Sequence, residues 1–197
     1  MKEIKVTNKI FSLEGFQNGS RAIIVSAGDG CVLINPPAAD SAAYQRLFLK
    51  YPVKEVYISD RNYAAQGYAL RMDFKIPFGA HHLESEFLKY PANFTFQDGQ
   101  ELLCGVRVIH LKFQRMRGES AFHLSSDHVL IAGDVLRAHE AGHFKMAAEH
   151  EYEDHKKAQA GLRRLFSLKF ETYLPASGAI ILSRANEKLD KMFDELQ

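Results

Sequence analysis

The chain has 197 residues, 46% hydrophobic and 25% charged, with a formal net charge of +1. This fits one globular domain, residues 1–197, with a substantial core. The balanced charge gives no basis for nucleic acid or an anionic membrane surface as a partner, and no apolar run reaches the roughly 18 residues of a membrane span.

The start, Met1-Lys2-Glu3-Ile4-Lys5, leads into alternation rather than an apolar signal segment, so no secretion is implied. Short β-rich runs follow at Ile10 to Leu13, Arg21 to Ser26 and Cys31 to Asn35. Ala27-Gly28-Asp29-Gly30 is the hairpin turn between the last two. Asp40 is placed to cap a helix whose Tyr44, Leu47, Phe48 and Tyr51 share one face. Strands are predicted at Lys54 to Ser59 and Ile76 to Ala80, then a short helix over His82 to Tyr90 with Leu83 and Phe87 inward. Asn93 to Phe96 and Glu101 to Leu111 form a meander about an Asp98-Gly99 turn. After the loop Phe113 to Ser120 come strands Ala121 to Leu124 and a run ending Ile131-Ala132-Gly133-Asp134. Strand Thr172 to Pro175 lies between two closing helices. The first turns Ala158, Leu162, Leu165 and Phe166 inward. The second does so with Leu182, Ala185, Leu189, Met192, Phe193 and Leu196. Two blocks of strands with helices between and after them suggest two sheets faced by helices. Cys31 and Cys104 sit in apolar strand-like runs and are expected to be buried thiols of a cytoplasmic, reducing environment rather than a disulfide.

Two stretches carry a resemblance. Val56-Tyr57-Ile58-Ser59 runs into Asp60-Arg61-Asn62-Tyr63-Ala64-Ala65-Gln66-Gly67, and the later loop holds Arg115-Met116-Arg117-Gly118 before the strand that ends Gly133-Asp134. The order resembles the metallo-β-lactamase superfamily, whose first strand ends T-H-x-H-x-D-H-x-G, whose loop reads P-G-H-T-P-G-S, and whose next strand ends G-D. The resemblance implies a four-layer αββα sandwich with two mixed sheets. Ser59 falls on the family's Thr, and Gly67 and Gly118 on its glycines. Asp60 and Asn62 fall on the first two histidines, Ala64 on the Asp, Ala65 on the third His and Arg115 on the loop His. Asp134 keeps the bridging Asp, and Ser177 falls on the last His. Asn35, before Pro36-Pro37, departs mildly from the family's usual D-x-P.

The family's two cations sit about 3.5–4 Å apart to make hydroxide and stabilise an oxyanion. Zinc there needs imidazole and carboxylate ligands in number. Ala64, Ala65 and Arg115 supply none, so no metal cofactor is expected; the alternative is a weakly bound divalent cation such as Mg²⁺ at Asp60 and Asp134. Asp60, Asn62, Arg115, Asp134 and Ser177 are expected to converge on one vestigial pocket. Arg115 should turn inward and pair with the Asp134 carboxylate in the place of the metals. Arg61, His110 and Arg117 are the expected neighbours, and the arginines suggest a small anionic ligand.

The other histidines read as bland. His139-Glu140-Ala141-Gly142-His143 matches H-E-x-x-H, but Gly142 opposes the helix that motif requires. His123 reads as a hydrogen-bonded core residue, and His81, His82, His128, His150 and His155 as solvated or capping. No G-x-S-x-G elbow, P-loop or G-x-G-x-x-G is present. The expected function is a non-hydrolytic binding or interaction protein, a pseudo-hydrolase. The alternative is a metal-dependent hydrolase acting through a remodelled site with Asp60, Asp134 and His110.

Overall fold

The computed structural model describes residues 2–16, 19–28, 30–138 and 142–195. Asp29, Leu196 and the His139, Glu140 and Ala141 of the H-E-x-x-H pattern lie outside them. Strands β1 (Lys2–Lys5), β2 (Ile10–Glu14), β3 (Ala22–Ala27), β4 (Gly30–Ile34), β5 (Val53–Tyr57), β6 (Phe78–His81) and β7 (Phe94–Phe96) form one sheet in chain order. Its first four strands run antiparallel, and β4 to β7 are parallel, joined through helices α1 (Ser41–Lys50) and α2 (Ala64–Phe74). Strands β8 (Glu101–Leu102), β9 (Val106–His110), β10 (Ser120–Leu124), β11 (Val129–Ala132) and β14 (Thr172–Pro175) form the second sheet, in the order β14-β11-β10-β9-β8. There β14 lies parallel to β11 and the other pairs are antiparallel. A small hairpin, β12 (Arg137–Ala138) with β13 (Phe144–Lys145), precedes helix α3 (His155–Leu162), and α4 (Ala185–Glu195) closes the chain.

Period-two alternation builds the layers. Along β3, Ile23 and Val25 face the second sheet, while Ala22 and Ile24 face α1 and α2. Val32 and Ile34 of β4 alternate likewise with Cys31 and Leu33. In the second sheet Phe122 and Ile131 point into the same inter-sheet core, and Ala121 and Leu130 point toward α3 and α4. Three apolar cores thus separate four layers, the αββα sandwich of two mixed sheets. Asp40 caps α1, accepting from the Ala43 amide at 2.6 Å, and Tyr44 and Leu47 are the buried stripe. No helix among the described residues is long and apolar enough to cross a membrane.

Several expectations fail locally. The segment His82–Phe87 is a 3₁₀ helix whose buried residue is Glu84, while Leu83 and Phe87 are 40% and 39% exposed. Glu84 takes the inward place because it finds charged and amide partners there. Phe87 instead lies under the Arg61 and Arg117 guanidiniums, 4.4 and 5.3 Å from its ring centre. His81 is buried rather than solvated, though it does cap the turn through the Leu83 amide. Cys104 is half-buried in a 3₁₀ turn at φ 62, which interrupts the expected strand between β8 and β9; both cysteines are free thiols. Phe166 and Leu182 stay 36% and 59% exposed, since α3 gives way to a 3₁₀ turn at Arg163 and α4 starts only at Ala185.

Candidate functional site

The site forms where β4, β5, β11 and β14 end together, the usual place for a ligand at the carboxyl edge of parallel strands. Asn35 follows β4 at φ 50, a left-handed conformation that asparagine tolerates. Its Oδ1 accepts from the Ser59 amide at 2.8 Å, which fixes the end of β5. Asp60 then caps the turn Arg61–Tyr63: its carboxylate accepts from the Asn62 amide at 2.9 Å and from Ser59 Oγ at 3.0 Å. It is only 3% exposed, and burial raises its pKa. Gly133 lets β11 come this close, since a Cβ there would collide with the Ser59 hydroxyl and lie 2.9 Å from Asp60 Oδ2. Asp134 follows, half-buried, its Oδ1 accepting from Ser177 Oγ at 2.6 Å and its Oδ2 from the Tyr63 hydroxyl at 3.4 Å. Ser177 is held by buried Arg21, whose amide donates to Ala176 O and whose Nη1 donates to Pro175 O, both at 3.0 Å.

These ends border a cleft of about 530 Å³ lined by Asn62, Tyr63, Asp134, Arg137 and Ser177, with Pro36, Pro37 and Ala38 as an apolar wall. Of the five residues expected to converge, Asn62, Asp134 and Ser177 line it, while Asp60 sits beneath, folded onto its own turn. Arg115 corrects the sequence reading. It turns inward, but its Nη2 donates to the main-chain carbonyl of Asp134 at 3.2 Å, and its Nη1 pairs with Glu151 at 2.8 Å. The Asp134 carboxylate takes its side-chain hydrogen bonds from two hydroxyls, and the guanidinium binds the main-chain carbonyl instead. With the Arg115 and Glu151 side chains 18% and 39% exposed, the pair is only partly desolvated. Arg115→Ala should therefore cost about 1–2 kcal/mol in denaturant unfolding; a loss above about 4 kcal/mol would mean the guanidinium neutralises the buried carboxylates after all.

The other expected neighbours do not reach the cleft wall. Arg61 is bound by Glu84 in a fork at 2.7 and 3.1 Å, and Arg117 stacks on Phe87. His110 stacks on His81, ring centres 4.4 Å apart, with Nε2 on the Arg117 carbonyl at 2.8 Å. Burial lowers the pKa of both imidazoles, His81 to about 4. The sequence reading missed two carboxyls. Glu84 is 1% exposed and also accepts from the Gly118 amide at 2.7 Å. Glu119, also 1% exposed, has an Oε2 with no hydrogen-bond partner among the described residues. Burial, reinforced by Asp60 and only partly opposed by Arg115, pushes its pKa up to about 8. The one signal for it was position: it directly follows Gly118 and opens the buried run Ser120–Leu124.

A family model described as the metallo-beta-lactamase superfamily matches residues 16–196. The chain belongs to the metallo-beta-lactamase superfamily. No curated protein matches it. Among solved structures, DIM-1 metallo-beta-lactamase superposes with a TM-score of 0.74 at 18% identity, covering 96% of this chain and 97% of its own. VMB-1 gives 0.78 at 11%, covering 100% and 98%. A metallo-beta-lactamase from Pontibacter korlensis gives 0.73 at 18%, covering 96% and 98%. At these identities the likeness shows the shared metallo-beta-lactamase fold.

At the positions where the resemblance implies metal ligands, the residues present supply few donor atoms. Ala64 and Ala65 offer no donor atom and Ser177 a neutral hydroxyl committed to Asp134. Arg115 brings a cation to the main chain of the bridging position. Asp60 is 3% exposed and folded onto its own turn rather than lining the cleft. Among the described residues no group of three or more His, Cys, Asp or Glu side chains is arranged to hold a metal ion.

Proposed function

We propose that this chain is a non-hydrolytic member of the metallo-beta-lactamase superfamily, a cytoplasmic pseudo-hydrolase whose cleft binds a small anionic ligand. The observation that carries the reading is the fate of the bridging aspartate. Asp134 faces the cleft with two hydroxyls as its side-chain partners, in a setting where a hydrolase would hold cations. Arg137 lines the same cleft and makes no ion pair among the described residues, so it is available to an anionic group. The free thiols of Cys31 and Cys104 suit a reducing compartment.

Elemental analysis of protein purified without chelator and without added metal tests the reading. Zinc, iron and manganese well below one equivalent are expected, with no hydrolysis of ester, lactam or thioester probes above an Asp134→Ala control. Stoichiometric metal accompanied by Asp134-dependent hydrolysis would establish the hydrolase instead. A magnesium-dependent rise in melting temperature that is lost in Asp60→Asn would favour the weak cation site at Asp60 and Asp134.

A further inference from the structure

Resting on that binding reading, we propose that the cleft takes a small zwitterion, its ammonium group against Asp134 and its carboxylate against Arg137. A carboxylate offers about four lone-pair sites. Those of Asp134 receive one hydrogen from Ser177 and one from Tyr63, so each oxygen keeps room for another donor. The guanidinium nearest in the hydrogen-bond network, Arg115, is spent on Glu151 and on the main-chain carbonyl. The carboxylate therefore meets the cleft with its charge directly paired by no cation among the described residues. An ammonium, with three donors and no acceptor, fills that gap.

Arg137 supplies the opposite requirement. It is exposed, lines the cleft and makes no ion pair among the described residues, and a guanidinium is a planar fork that matches a carboxylate. An anionic group pairs with Arg137, as the binding reading requires, and leaves the Asp134 carboxylate still without a cation. A cation alone would leave Arg137 unused. A small molecule carrying both charges meets both groups, with Pro36, Pro37 and Ala38 as the apolar wall for its carbon skeleton. A cleft of about 530 Å³ lies within the range of small-molecule sites.

The test is a thermal-shift titration of the full chain with the free L-amino acids and glycylglycine, beside acetate, propionate and n-butylamine. At least one zwitterion should raise the melting temperature saturably, while the singly charged compounds at equal concentration do not. Asp134→Asn and Arg137→Ala should each weaken the apparent affinity by about tenfold or more. Arg137 is exposed, so its alanine variant keeps the test decisive if Asp134→Asn folds poorly. No response to any zwitterion, or an undiminished response in Arg137→Ala, would overturn the inference. Carboxylates binding as tightly as amino acids would also overturn it, yet leave the anion-binding reading standing. Stoichiometric metal with Asp134-dependent hydrolysis would remove the non-hydrolytic reading and overturn the inference with it, because a metal would then occupy the carboxylate offered to the ammonium.

Discussion

Glu84→Ala is expected to destabilise the fold by about 3–5 kcal/mol, the range for removing one partner of a buried ion pair. The side chain is 1% exposed and receives three hydrogen bonds. Two come from Arg61, at 2.7 and 3.1 Å, and one from the Gly118 amide at 2.7 Å. Truncation leaves that buried amide without an acceptor and frees a guanidinium that is 28% exposed. It also empties the space under Gly118, where a Cβ would lie 2.6 Å from Glu84 Cγ. Three segments distant in sequence meet at this carboxylate: the turn after β5, the 3₁₀ helix after β6, and the loop between β9 and β10. The loss should therefore appear in the unfolding midpoint and also as greater protease sensitivity near Arg117. Glu84→Gln keeps an acceptor for Gly118 and the packing volume, and should lose less. If Glu84→Ala unfolds within about 1 kcal/mol of wild type, the pair is a surface contact in effect and this account of the loop fails.

What was legible in the sequence follows from pattern. The short β-rich runs of β3 and β4 about their Gly-containing turn, the Asp40 cap, and the run Thr172 to Pro175 each encode their state locally, and each element formed within a residue or so of its expected bounds. The order of strand ends was legible too, and it puts Asn62, Asp134 and Ser177 on one cleft. Binary patterning sends every charge outward, so it turned Glu84 to solvent and drew Leu83 and Phe87 inside. The true arrangement depends on Arg61, 23 residues away, which no local period reveals. The role given to Arg115 failed for the same reason. Its carboxylate partner, Glu151, lies 36 residues on, in a 3₁₀ turn, and the Asp134 carboxylate takes its hydrogen bonds from Ser177 and Tyr63. The burial of His81 and Glu119 is likewise tertiary: both border fully buried strands, but their polar side chains gave no apolar signal, and their burial depends on residues of other strand ends and loops.

Glu119→Gln is expected to stabilise the protein at neutral and alkaline pH. A carboxyl held neutral to about pH 8, against an ordinary value of 4.5, keeps its proton in the folded state after the unfolded chain has lost it. Between those values the folded state binds more protons, so stability is fully present below about 4.5 and falls as pH rises through 8. Each pH unit in the window is worth about 1.36 kcal/mol, so the loss by pH 7 is on the order of 3 kcal/mol. Glutamine keeps the shape and stays neutral, so the variant should match wild type near pH 4.5 and exceed it by about 2–3 kcal/mol near neutrality. Asp60 also has a raised pKa and contributes the same sign, so the slope should flatten without vanishing. The acid limb belongs to other groups. His81, lowered to about 4 by burial and by its neighbours His110 and His82, contributes stability that is present above 6.5 and lost as pH falls through 4. The two limbs give wild type its maximum in mildly acid solution, and Glu119→Gln should move that maximum upward. Urea unfolding of both proteins between about pH 5 and pH 9 reads this directly. Stability curves that run parallel across that range would mean Glu119 ionises normally, with Arg115 close enough to serve as its counter-ion.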